Sequence, residues 1–133
     1  MNRITTLFQS DHLKKRSALI AYVTAGYPKL TVTLPYLHRL VDSGVDLIEL
    51  GIPFSDPSAD GPVIQRAMET ALKNNINLED ILDLVRQFRL HDTKTPIVLM
   101  GYYHPIYRFG IDPFLTTSQT VGVDGLLIVD YPI

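Results

Sequence analysis

Four short apolar runs recur along the chain: Ala18–Val23, Val45–Leu50, Pro96–Met100 and Gly125–Val129. They are rich in Val, Ile and Leu and mostly lack the apolar/polar alternation of a strand with one wet face. That pattern predicts strands buried on both faces, as in a parallel sheet covered by helices.

The segments between these runs carry helical periodicity. Leu30, Leu34, Leu37, Leu40 and Val41 share one face, and Gly44 is a natural stop. Val63, Ile64, Ala67, Met68, Ala71 and Leu72 form a second apolar face. A third helix begins with Asn77 as N-cap and presents Leu78, Ile81, Leu82, Val85 and Phe88. A fourth is expected from Asp112, with Pro113 at its first helical position and Gly122 closing it. The predicted order is βαβααβαβ, preceded by a short helix around Ile4–Phe8, with no internal repeat beyond this rhythm.

Such alternation specifies parallel strands joined by right-handed crossovers. Two architectures satisfy it, an open doubly wound sheet and a (β/α)8 barrel. After the first strand stands Thr24-Ala25-Gly26-Tyr27-Pro28, which is not the G-x-G-x-x-G turn of a dinucleotide-binding sheet. A barrel takes about 250 residues, so 133 residues make one domain's worth but only half of a barrel.

Composition excludes several function classes. A net charge of −2 argues against a nucleic-acid surface, which needs a basic excess. Without cysteine there is no disulfide framework, thiolate metal site or cysteine nucleophile. The stretch Met1–Arg16 has no apolar core of a signal peptide, and no apolar run is long enough to span a bilayer. A soluble cytoplasmic protein is the expectation.

In either architecture function belongs at the carboxyl ends of the strands. There Glu49 interrupts an apolar strand, Leu47-Ile48-Glu49-Leu50. An ionised carboxylate is costly in a dry interior, and desolvation moves a Glu towards neutrality, where it can both give and take a proton. The structural alternative is an ion pair with a Lys or Arg. A long βα loop follows, from Gly51 to Pro62, and loops of that length on the functional face are binding loops or lids. Asp60 and Asp56 lie in it; each also has a bland reading, as a cap or Asx-turn residue before proline.

The string Glu49-Leu50-Gly51-Ile52-Pro53-Phe54-Ser55-Asp56-Pro57, continuing Ala59-Asp60-Gly61-Pro62 and Ile64-Gln65, resembles the signature of the tryptophan synthase alpha subunit family. So does Ala21-Tyr22-Val23-Thr24-Ala25-Gly26-Tyr27-Pro28. Pro96–Tyr103 with Pro105-Ile106, then Gly122-Val123-Asp124-Gly125 and Asp130-Tyr131-Pro132, are similar to its third and fourth strand ends.

The resemblance implies a (β/α)8 TIM barrel, of which residues 1–133 are the N-terminal half, roughly the first four βα units. It implies a lyase that cleaves indole-3-glycerol phosphate, by retro-aldol chemistry, to indole and glyceraldehyde 3-phosphate. Glu49 would protonate the ring carbon bearing the glycerol chain, and Asp60 would accept or stabilise the proton on the indole nitrogen. Tyr22, Met100, Tyr102 and Leu127 would line the slot for the flat heterocycle. No cofactor or metal is implied for this subunit; pyridoxal phosphate belongs to a beta partner. An alpha2beta2 complex with that beta subunit is implied, Pro53 and Asp56 contributing to the contact.

Ser58 replaces a common Leu and His104 a common Asn, both towards the partner side. The phosphate grip of such barrels comes from loops after strands seven and eight, so the 133-residue chain alone is expected to be inactive. Its first and fourth strands are expected to be open edges that promote dimerisation or aggregation. The competing readings are a related barrel enzyme acting on a phosphorylated sugar, and a non-catalytic half-barrel that only mediates assembly.

Overall fold

The computed structural model describes residues 2–131, so Pro132 of the fourth strand-end motif lies outside the described residues. Four parallel strands form one sheet: β1 (Ile20–Thr24), β2 (Leu47–Gly51), β3 (Ile97–Gly101) and β4 (Gly125–Ile128). Their spatial order is β1-β2-β3-β4, the order of the chain. A doubly wound sheet reverses direction at a switch point; this one does not, and consecutive order is what a barrel requires.

Six helices accompany the strands: α1 (Arg3–Phe8), α2 (Leu30–Asp42), α3 (Pro62–Lys73), α4 (Leu78–Arg89), α5 (Tyr103–Phe109) and α6 (Ile111–Val121). The Asn77 side chain caps α4 by accepting from Asp80 N–H, while Asp80 returns a bond to Asn77 N–H, a full capping box. Gly122 closes α6 in the left-handed conformation, as expected.

Two helix expectations are corrected. Helix α5 was not foreseen, because its seven residues hold Pro105 and too short an apolar period to register. Helix α6 begins at Ile111 with Gly110 as N-cap, so Pro113 is its third residue and not its first. Both prolines occupy a first turn, where the missing N–H has no intrahelical acceptor to lose.

Register divides the sheet into two faces. One carries Ile48, Leu50, Ile97 and Leu99, all fully buried against a core that includes Leu37, Ile81, Leu82, Val85, Phe88 and Phe114 from the helices. The other carries Tyr22, Glu49, Val98, Met100 and Leu127. Two-sided burial therefore holds for β2 but fails for β1 and β4, where Ile20, Leu126 and Leu127 are exposed. The outer strands lack a second neighbour, and the inward face is not covered among the described residues.

At the amino ends of the strands a short repeat appears that the βα rhythm alone did not reveal. Gly44-Val45-Asp46 and Gly122-Val123-Asp124 occupy equivalent places, each with glycine at positive φ. The Asp46 carboxylate accepts from Leu19 N–H at 2.7 Å, and Asp124 accepts from Ile97 N–H at 2.9 Å. Each aspartate thus ties the start of its own strand to the start of the preceding one. Each is also paired with arginine: Arg16 on Asp46, Arg89 and Arg3 on Asp124. Arg89 additionally donates to the carbonyls of Gly122, Asp92 and Thr95.

Candidate active site at the carboxyl ends of the strands

Tyr22 and Glu49 are register partners on adjacent strands, and Met100 and Leu127 are partners one level further along, at the carboxyl end. The parallel register therefore puts Tyr22, Glu49, Met100 and Leu127 on one face of the sheet, the uncovered one. Glu49 is half-buried and forms no ion pair among the described residues. The structural reading of this residue, a carboxylate clamped by Lys or Arg, finds no support. Its surroundings are nonetheless wetter than the apolar strand suggested, because the face it occupies is open.

Tyr22 lies across Gly51. A Cβ built on Gly51 would stand 2.1 Å from the Tyr22 hydroxyl oxygen and 2.6 Å from Cζ, so only glycine admits the ring there. The Thr24 hydroxyl donates to Tyr22 Oη at 3.3 Å. Burial pushes the Tyr22 phenol above its ordinary value; Thr24 opposes this, and the negative charges of Asp60 and Glu49 add to it. One phenol thus feels both candidate carboxylates.

Asp60 is held from the third strand. The Tyr102 hydroxyl donates to Asp60 Oδ2 at 2.6 Å and accepts from Ala59 N–H at 3.0 Å. The Gln65 side-chain amide donates to the Asp60 carbonyl at 2.8 Å. The capping reading of Asp60 fails, since the N-cap of α3 is Gly61 and no side chain caps it. Tyr102 is 1% exposed, so its ring is part of the packing and its hydroxyl reaches the site through Asp60. Burial is the main cause that lifts the Tyr102 phenol, followed by its bond to Asp60.

The loop ahead of Asp60 is arranged differently. Pro53 is buried, whereas Asp56 is exposed and, among the described residues, its side chain bonds only to its neighbour, with Ser55 Oγ donating to Asp56 Oδ2 at 2.5 Å. Pro53 and Phe54 border a groove of about 530 Å3 shared with His104, Pro105 and Arg108. That groove lies beside the loop and contains neither Glu49 nor Asp60. Phe54 also packs on Tyr102, with ring centroids 5.3 Å apart.

Sequence reasoning missed Gly51 and Thr24 as the seat of Tyr22, and Tyr102 as the anchor of Asp60. For Gly51 the signal was available: glycine at a strand end marks close approach. A contact between residues 60 and 102 leaves no trace in spacing. Among the described residues no cluster of His, Asp and Glu is placed to hold a metal ion, and no helix is long and apolar enough to cross a membrane.

Residues 8–133 match the model of the family described as the tryptophan synthase alpha chain. The chain belongs to that family. The tryptophan synthase alpha chain of Nitrosospira multiformis is 52% identical over 132 residues, spanning 99% of this chain and 47% of that one. The crystal structure of tryptophan synthase subunit alpha from Legionella pneumophila superposes with a TM-score of 0.96 at 49% identity, covering 99% of this chain and 50% of the other. A chain of the tryptophan synthase complex from Pyrococcus furiosus gives a TM-score of 0.81 at 51% identity, covering 86% and 47%. This chain spans about half the length of the alpha-chain relatives it matches. Its four parallel strands and the helices between them therefore correspond to half of a (β/α)8 barrel, and the alternative of an open doubly wound sheet is excluded.

Proposed function

We infer that this chain is the N-terminal half of one barrel domain whose complete form cleaves indole-3-glycerol phosphate to indole and glyceraldehyde 3-phosphate. The observation that carries this reading is the pair of unlike carboxylates: Glu49, half-buried and unpaired on the inner sheet face, and Asp60, tethered to Tyr102. Retro-aldol cleavage of a 3-substituted indole needs a proton delivered to ring carbon 3 and negative charge near the ring nitrogen. Glu49 delivers the proton, and Asp60 stabilises the charge that develops on N–H. The resulting indolenine expels the aldehyde: the carbinol hydroxyl beside the breaking bond returns a proton to the Glu49 carboxylate, its C–O becomes C=O, and the electrons of the broken C–C bond restore the indole ring.

Tyr22, Met100 and Leu127 give the heterocycle an apolar wall on the same face, and Tyr102 closes it from beneath Asp60. The subunit carries out this step with side chains alone and needs no cofactor. Its partner is a beta subunit that holds pyridoxal phosphate, in an alpha2beta2 complex, and its setting is the cytoplasm. Exposed Asp56 and the Pro53 groove supply the contact surface for that partner. The phosphate grip resides in later loops, so residues 1–133 alone bind substrate poorly and turn over negligibly.

An indole-release assay on the complete chain tests the reading. Glu49→Gln and Asp60→Asn should each abolish most turnover with the fold retained, and full activity in either would refute the assignment. Asp56→Ala should weaken beta-subunit binding while sparing chemistry.

A further inference from the structure

Two bonds from the end of β4 bracket Tyr102, the residue that follows β3. Val129 N–H donates to the carbonyl of Gly101 at 3.0 Å, and Tyr103 N–H donates to Asp130 Oδ1 at 2.7 Å. Consecutive residues of one strand end thus hold the backbone immediately before and immediately after Tyr102. The Tyr131 ring adds an edge-on contact to Tyr103, with centroids 5.3 Å apart.

The bond from Tyr103 N–H is one that its own helix cannot supply. Tyr103 is the first residue of α5, where a backbone N–H has no intrahelical acceptor. The N-cap of that helix is Tyr102, whose side chain makes no capping bond and donates to Asp60 instead. The acceptor therefore comes from another strand, Asp130 standing 27 residues further along the chain.

The position of the Tyr102 hydroxyl depends on this backbone. The ring is 1% exposed and the residue is extended, with φ −112° and ψ 154°. A tyrosine ring is rigid and turns about few bonds, so the direction of its Cα–Cβ bond decides where the hydroxyl lands. At 2.6 Å the bond to Asp60 Oδ2 is short and tolerates little displacement.

We propose that Asp130 is a positioning residue for Asp60: by holding Tyr103 N–H it sets the Tyr102 hydroxyl that fixes the Asp60 carboxylate. This rests on the indole-releasing reading above and adds to it a residue from the fourth strand end.

Indole release by the complete chain tests it. Asp130→Ala should lower kcat/KM roughly three- to tenfold, the worth of one hydrogen bond. Asp130→Asn keeps an acceptor oxygen and should lose less. In a Tyr102→Phe background the Asp130→Ala step should cost less than about twofold. A carboxylate that only caps α5 would give additive losses, and additivity overturns the proposal, as does parent activity in Asp130→Ala. Should replacing Asp130 unfold the chain, two variants that leave it in place still decide. Tyr103→Pro deletes the donor at a helix position that accepts proline and should lose as much as expected for Asp130→Ala. Tyr103→Ala keeps the N–H and should lose distinctly less; equal activity in these two overturns the proposal. Glu49→Gln separates the two levels of the reading. If it is inactive while Asp130→Ala or Tyr103→Pro matches the parent, only the role of Asp130 falls. If it is fully active, the catalytic reading falls and the role of Asp130 with it.

Discussion

The Tyr102 hydroxyl gives its proton to Asp60 Oδ2 at 2.6 Å while its lone pair takes Ala59 N–H at 3.0 Å. A phenol has one proton to donate, so with Ala59 as donor the bond to Asp60 has a fixed direction and requires an acceptor carboxyl oxygen. Strand β3 thereby sets the position of a carboxylate that lies on the loop after β2.

Removing that hydroxyl tests the coupling. A hydrogen bond to a charged group is worth about 1.5–3 kcal/mol, so Tyr102→Phe in the complete chain should lower kcat/KM for indole release roughly ten- to a hundredfold. The effect should nearly vanish when Asp60 is already Asn. Additive losses in the double-mutant cycle would show that Tyr102 acts independently of Asp60.

Gly51→Ala probes the seat of Tyr22. The new methyl would stand 2.1 Å from the phenol oxygen, so the ring must leave. Overpacking of this kind costs about 1–3 kcal/mol, read as a lower denaturation midpoint. Adding Tyr22→Ala should make the Gly51→Ala step nearly neutral, because the clashing atoms are gone.

Asp124 is the most consequential carboxylate outside the site. Its side chain is 3% exposed and it pairs with Arg89, itself 9% exposed. Removing one partner of a buried ion pair costs about 3–5 kcal/mol, so Asp124→Ala should lower the unfolding free energy by that order. Asp83, paired with Arg86 within the exposed face of α4, provides the contrast: both side chains are about half-exposed. Its loss should cost less than about 1 kcal/mol. Equal effects in urea denaturation would contradict the structural ranking.

How far the sequence foretold this molecule depends on the range of the interaction. The strands and four of the helices follow from local periodicity, and Asn77 announces its own cap. Helix α5 was lost because Pro105 in a seven-residue segment masks the period. Glu49 stood out because a carboxylate in an apolar strand is costly wherever it points. The standing of Asp60 could be read only through family resemblance, since its partner Tyr102 is 42 residues away and nothing local distinguishes it from a capping aspartate. The open edges at β1 and β4 were expected from the half-barrel reading and not from composition, because an apolar run looks the same at the edge of a sheet and at its centre.

The response to acid follows from Asp46. The Arg16 guanidinium holds its carboxyl below the ordinary value, burial opposes this, and the Leu19 N–H adds to the depression. A carboxyl whose value is lower folded than unfolded contributes stability above the unfolded value, about 3.9. That contribution is lost as pH falls through the lower folded value. Asp92 has the same sign: burial alone would raise its value, but the Thr95 hydroxyl and the Thr95 and Lys94 N–H groups outweigh it. Thermal unfolding between pH 7 and pH 5 should therefore be nearly flat on account of these two groups, with the loss setting in below about pH 4. Asp46→Asn should lower the melting temperature at pH 7 and make the fall below pH 4 shallower. Because Arg16 is partly solvated, the change should be smaller than that for Asp124→Ala. A variant whose acid limb superposes on that of the parent protein would show that the Arg16–Asp46 pair contributes nothing to it.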